Sequence, residues 1–316
     1  MKIDKIDRKL LSYLYHNYRE PLTKIAKACK LSKDQVGYRV RKYEKEGFIK
    51  KYITIFNYNL LGYNEFIVVW LKLKKNKESI KKKLEGMKNV VSVGDIITNY
   101  NLFIDFVSKD KQEFERVFYS FLKKHEREIQ DYSIFIITYA EFFPLKGFGI
   151  SDVEKTYTIV SSVKPIKIDK KSLEVLKTLE NNGRVRIIDI AEKTGLSSEL
   201  ILYKLKQFYK KKIILGMRIQ FDMEKLGFYF GVLRIKLKNQ TEEIKSKIKK
   251  FCKNYKNINA LSFGISEYNC LIQIFYQQEE EFRQTIRDIN KEFKGEIEKS
   301  EIVLIENEGR VKTLPY

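Results

Sequence analysis

The sequence predicts an α+β protein in which two winged helix-turn-helix segments are each followed by a ferredoxin-like βαββαβ sandwich. Three observations carry this reading: an internal repeat, a change of hydrophobic period within each repeat, and basic charge gathered in two blocks. At 316 residues the chain exceeds the roughly 150 of one typical domain. Shifted by 165 positions, residues 3–63 align on 168–228 without a gap, with identities at 17 of 61 positions from Ile3/Ile168 to Gly62/Gly227. Farther on the offset becomes 168, pairing Tyr100-Asn101 with Tyr268-Asn269 and Glu113-Phe114 with Glu281-Phe282. One unit is therefore written twice. The expected segments are 1–56 and 167–221 for the heads, 57–140 and 222–316 for the sandwiches, and a 141–166 joint where Pro144, Gly147, Gly149 and Pro165 break any period.

Within the first head, helix one covers about Asp7 to Asn17, with Leu10, Leu11 and Leu14 as one apolar stripe. Helix two, about Thr23 to Cys29, offers Ile25, Ala26 and Cys29. Helix three opens at Ser32, with Gln35 completing a capping box, and buries Val36, Val40 and Tyr43. Gly47 ends it, and Phe48 to Ile53 begin a tight hairpin, the wing. The sandwich follows, with strands near Glu65–Leu73, Val91–Ile97, Leu102–Val107 and Ser133–Tyr139 and helices near Ser79–Met87 and Lys111–Ile129. In the second copy the strands lie near Phe230–Leu237, Ala260–Ile265, Cys270–Tyr276 and Glu301–Glu306, around helices Glu242–Asn254 and Glu279–Phe293.

Composition narrows the function. The longest apolar run, Phe66 to Leu71, is far short of the ~20 residues that cross a bilayer, and the charged N-terminus lacks the apolar stretch of a secretory signal. A cytoplasmic location without a membrane partner is expected. Three cysteines without CxxC spacing and only two histidines offer neither a disulfide framework nor a metal site, so no cofactor is expected. His16 and His125 are expected at the surface or half-packed, and no catalytic residue is assigned. There is no Gly-rich phosphate loop and no paired carboxylates, so the chain is not expected to be an enzyme. The net charge of +21 is concentrated: residues 1–60 hold 15 Lys/Arg against 6 Asp/Glu, and 167–220 hold 13 against 6. Two basic blocks that coincide with the two heads point to a polyanion, double-stranded DNA, as partner.

Ile3-Asp4, Ile6-Asp7-Arg8-Lys9-Leu10-Leu11, Ile25-Ala26-Lys27, Leu31-Ser32, Val36, Arg39-Val40 and Glu46-Gly47-Phe48-Ile49-Lys50 together resemble the Lrp/AsnC family of transcriptional regulators. The resemblance implies a DNA-binding head and a sandwich that dimerises through its sheet and often senses an amino acid. The family's Gly-x-Tyr-Asp element stands here as Thr98-Asn99-Tyr100-Asn101 and Ser266-Glu267-Tyr268-Asn269, with the glycine and aspartate both replaced, a departure that counts against an amino-acid effector. Thr98, Tyr100, Asn101, Ser266, Tyr268 and Asn269 are the candidate effector pocket. With two sandwiches on one chain, either an intramolecular pseudo-dimer or a homo-oligomer satisfies the pairing.

The candidate DNA-reading residues are Ser32, Lys33, Gln35, Tyr38, Arg39, Arg41 and Lys42 on helix three, with Lys50 and Lys51 on the wing. Arg suits guanine, Gln suits adenine, Tyr and Lys suit phosphate. In the second copy Ser197, Ser198, Tyr203, Lys204 and Lys206 take this role, but Gln35 and Gly37 have become Leu200 and Leu202. Arg19 and Arg184, beside the helix-one turns, are further candidates for phosphate. Two alternatives remain: siroheme decarboxylases resemble this winged-head and sandwich plan, down to a Tyr-Asn-Leu run like Tyr100-Asn101-Leu102, and a protein-interaction module would need no nucleic acid.

Overall fold

The computed structural model describes residues 3–146, 157–160, 164–309 and 311–315; Gly147 and Gly149 of the expected joint lie outside them. The described residues form two compact units, and each draws on both copies. Residues up to 61 and from 165 to 228 make the first, which joins the heads. The second joins the sandwiches.

In the first unit, α1 (Lys5–Asn17), α2 (Leu22–Cys29) and α3 (Lys33–Lys45) precede β1 (Ile49–Phe56), while α6 (Lys170–Asn181), α7 (Ile187–Thr194) and α8 (Ser198–Lys210) precede β7 (Ile214–Phe221). Local chemistry sets the starts. Asp4 caps α1 in a reciprocal box with Asp7, Ser32 does the same for α3 with Gln35, and Asp169 and Ser197 cap α6 and α8. Leu10, Leu11, Leu14, Ile25, Val36 and Val40 are buried as their spacing requires. The wing departs from expectation. β1 does not fold back into a hairpin; it runs antiparallel to β7, with Ile53 opposite Arg218. A lone strand leaves its amides and carbonyls unpaired, and the equivalent strand of the other head satisfies them.

The second unit contains β2 (Glu65–Leu73), α4 (Lys77–Gly86), β3 (Val90–Ile97), β4 (Leu102–Ser108), α5 (Lys111–Lys124), β5 (Ile129–Phe142) and β6 (Tyr157–Val160). Copy two adds β8 (Tyr229–Leu237), α9 (Glu242–Asn254), β9 (Ile258–Ile265), β10 (Cys270–Tyr276), α10 (Glu279–Glu292) and β11 (Ile297–Asn307). Each copy has the ferredoxin-like strand order, β5-β2-β4-β3 and β11-β8-β10-β9. Pairing of β3 with β11 and of β5 with β9 joins the two sheets into a closed ring, with β6 added on β5.

Two differences from the sequence reading share one cause. α5 stops at Lys124 instead of reaching Ile129, and β5 runs 14 residues, because Ile129 already pairs with Leu73 on β2 while the far end of the strand pairs with β9. Outside the ring, each copy's helices cover their own apolar core, Phe114 and Phe118 in one, Ile248 and Phe282 in the other. Inside it lies a third core shared by both copies: Val68, Trp70, Phe103 and Phe135 from the first, with Val232, Leu271 and Val303 from the second. Of the two pairings the sequence left open, the sheets of this chain make the intramolecular one.

Candidate nucleic-acid interface

α3 is held by its inner face, where Val36, Val40 and Tyr43 are fully buried, so the opposite face is left to solvent. Lys33, Gln35, Tyr38 and Arg41 stand exposed there, Tyr38 at 62 %. Gln35 also closes the cap, its Oε1 accepting from the Ser32 amide at 2.9 Å. Lys42 is half-buried, 3.9 Å from Glu46.

Arg39 is placed otherwise than expected. It turns to the start of α1, paired with the buried Asp7 and, at 3.4 Å, with Asp4. The Tyr43 hydroxyl donates to the same Asp7 carboxylate at 2.6 Å. A buried carboxylate without a partner is costly, and this arrangement supplies two. Burial works against the Arg39 charge, but the Asp7 carboxylate outweighs it and raises the guanidinium pKa. Burial and then Asp7 push the Tyr43 phenol well up.

In head two, the equivalent Lys204 donates to Ser172 Oγ at 2.8 Å and lies 3.5 Å from Asp169. Asp169, hydrogen-bonded by the Ser172 hydroxyl and amide, titrates near 2. Exposed on α8 are Leu200, Leu202, Tyr203 and Lys206; Ser197 caps the helix and Ser198 is half-buried.

The wing cations are also engaged. Lys51 pairs with Glu180 at 2.8 Å, and Lys50, more exposed, with Asp222 at 3.4 Å. Arg19 donates to the carbonyls of Gly183 and Val185; Arg184 donates to Glu44 and Tyr52 and stacks on the Tyr52 ring at 5.2 Å. These arginines tie head to head. His16 and His125, expected at or near the surface, are both buried at 4 %: His16 Nδ1 lies 3.1 Å from the Met217 carbonyl across the head seam, and His125 ends α5 against Phe121. Both sit where a helix end packs on aromatic neighbours, a burial that flanking charges in the sequence conceal.

The two Tyr-Asn elements converge on one residue that sequence reasoning missed. Arg234, 3 % exposed on β8, has Tyr268 at 4.4 Å, Trp70 at 5.1 Å and Tyr100 at 5.6 Å around its guanidinium, and bonds Glu301 at 2.8 Å and Ser133 at 3.4 Å. Asn101 and Asn269 each accept from a backbone amide, of Leu73 at 2.6 Å and Leu237 at 2.8 Å. Thr98 Oγ1 accepts from the Tyr100 amide, and Ser266 is half-buried.

A family described as winged helix-turn-helix DNA-binding matches residues 3–50 and again 168–214. The regulatory protein AsnC of Haemophilus influenzae is 32 % identical over 117 residues, covering 78 % of that protein and 36 % of this chain. The chain belongs to the Lrp/AsnC family. An uncharacterised HTH-type transcriptional regulator of Pyrococcus furiosus is 27 % identical over 130 residues, 86 % of its own length and 41 % of this Lrp/AsnC chain, a length one repeat supplies. Over the whole chain the fold is shared with the siroheme decarboxylase NirDL, at a TM-score of 0.64 and 14 % identity, covering 99 % of this chain and 94 % of that one. The tandem form of the Lrp/AsnC architecture therefore has a full-length structural counterpart.

Proposed function

We propose that the chain is a transcriptional regulator that binds double-stranded DNA sequence-specifically, reading the major groove with α3 and making a second, less discriminating contact with α8. The observation that carries this is the solvent face of α3: Lys33, Gln35, Tyr38 and Arg41 project from a helix whose other side is fully packed. Arg41 can donate twice to guanine, Gln35 can serve adenine, and Tyr38 and Lys33 reach phosphate. The capped α3 N-terminus favours a phosphate oxygen beside it. On α8, Leu200 and Leu202 offer a thymine methyl only apolar contact, leaving Ser197, Ser198, Tyr203 and Lys206 for the backbone. Unequal heads in one unit call for an asymmetric site.

Selection of bound duplexes from a random pool at two salt concentrations tests this. Tyr38→Ala with Arg41→Ala is expected to weaken the preferred site by about 1–3 kcal/mol per base contact and blur the motif. Lys33→Ala should reduce the salt slope by about one without changing the motif. An unaltered motif and affinity in the double variant would overturn the reading.

An effector at the Tyr-Asn elements would have to part Tyr100 and Tyr268, which already flank the buried Arg234 guanidinium. Trp70, the sole tryptophan, reports it by fluorescence when L-amino acids are added. The enzyme reading stands on shared architecture with siroheme decarboxylase. A visible absorption band on adding iron-uroporphyrin III, abolished by Arg234→Ala, would favour it over the regulator.

A further inference from the structure

A two-fold relation between repeats forces any residue on its axis to meet its own equivalent. Among the described residues three such meetings are seen, and in each the two residues differ. In the head unit Ile53 pairs across the ladder with Arg218, its counterpart at an offset of 165. Tyr18, 1 % exposed, fills the space in front of its counterpart Gly183; a Cβ there would collide with the Tyr18 hydroxyl and come within 2.8 Å of the Tyr52 carbonyl.

In the sandwich unit the ladders make Trp70 and Arg234 equivalent, since Trp70 lies opposite Phe103 and Arg234 opposite Leu271, the matching position on β10. The guanidinium faces the indole at 5.1 Å. Its place on the axis is confirmed by its other partners, which come as equivalent pairs: Tyr100 with Tyr268, and Ser133 with Glu301. One ring, one guanidinium and one carboxylate close this set, and one phenol fills one glycine gap.

We infer that the two halves have become heterotypic partners: each pairing surface is shaped for the other half of the same chain, and a second copy of the same half fits it poorly. Two copies of the first half would bring Tyr18 against Tyr18 and Trp70 against Trp70. Two copies of the second would set Gly183 against Gly183, leaving a cavity, and Arg218 beside Arg218. With the head roles proposed above, the chain carries a fixed pairing of one strong and one weak reading head, which no exchange of halves between identical chains improves.

The intact chain can host every combination, so the test needs no isolated half. Calorimetric melting is compared for wild type, Trp70→Arg, Arg234→Trp and the exchange variant carrying both. Trp70→Arg places two guanidinium groups against one carboxylate and should lower the midpoint by about 10 °C. Arg234→Trp should also melt lower, and the exchange should recover at least half of the larger loss, because both side chains still meet on the axis. The same set, Tyr18→Gly, Gly183→Tyr and their exchange, reads the head unit independently should one family of variants fail to fold. Like-paired variants that melt as high as wild type, or exchanges no better than the sum of the single losses, would overturn the inference.

Discussion

The two heads share a backbone and differ in what they place on it. Both end their second and third helices with a left-handed residue. Head one uses Lys30 (φ 58°) and then Gly47 (φ 74°); head two uses Gly195 (φ 67°) and then Lys212 (φ 55°). These are equivalent positions with glycine and lysine interchanged, so the fold imposes the conformation and each head tolerates one strained lysine. The lock between the first and third helices shows the same relation in polar chemistry. Arg39, Asp7 and Tyr43 in head one become Lys204, Ser172 and Phe208 in head two. Position is kept, and a buried ion pair becomes a hydroxyl bond.

The largest expected effect separates these locks. Asp7→Ala abandons Arg39 and Tyr43 together and should cost about 3–5 kcal/mol in denaturant unfolding, whereas Ser172→Ala removes two hydrogen bonds, one from Lys204 and one to Asp169, each worth about 1 kcal/mol. Equal losses would mean that the two locks do the same work. Next in size is the reading face. Arg41→Ala should weaken binding to the selected duplex by about 1–3 kcal/mol, and Lys206→Ala by clearly less, as competition binding at fixed salt would reveal. Reversed ranking would make α8 the main reader.

Smaller still are the caps. Lys30→Gly and Lys212→Gly should each stabilise by about 0.5–1 kcal/mol, the relief of left-handed strain offset in part by glycine's extra freedom when unfolded. Gly195→Lys and Gly47→Lys should lose stability. A pH-dependent effect compares the sandwiches. Asp105 shares the inward face of β4 with Phe103, and its counterpart on β10 is the neutral Gln273. Desolvation, with Glu308 adding, pushes the Asp105 carboxyl up to about 7. An acid whose pKa rises on folding is most favourable below its ordinary range and loses stability as pH climbs through 7. Asp105→Gln should therefore raise the melting midpoint at pH 8 and leave it nearly unchanged at pH 4. An identical shift at both values would remove charge from the explanation.

What was legible in the sequence is what neighbours in the chain decide. Ser32-x-x-Gln35 and the Leu10, Leu11, Leu14 stripe are local signals, and the structure places a capped α3 and a packed α1 where they point. β2 spans Glu65–Leu73 as expected because a near-continuous apolar run, bounded by polar residues, admits few readings. Partnership across the repeat was not legible. Nothing near Ile49–Phe56 says that its ladder partner lies at Ile214–Phe221 instead of in a hairpin. The destination of Arg39 was hidden because its acid sits at the start of another helix, although the pairing of Asp4 with Asp169 in the repeat was available as a hint. Arg234 and Trp70 escaped notice because a comparison that rewards identity passes over positions where the copies differ, and those positions lie on the axis.

Interleaving both copies in each unit also sets the order of events on the ribosome. The head unit lacks β7 until residues near 221 have emerged, and the sandwich ring cannot close before β11. At 5–20 residues per second, the first sandwich waits several seconds with the edges of β3 and β5 unpaired. For that interval the nascent chain carries open strand edges of the kind that recruit chaperones or neighbouring polypeptides, and only the second copy's β9 and β11 cover them.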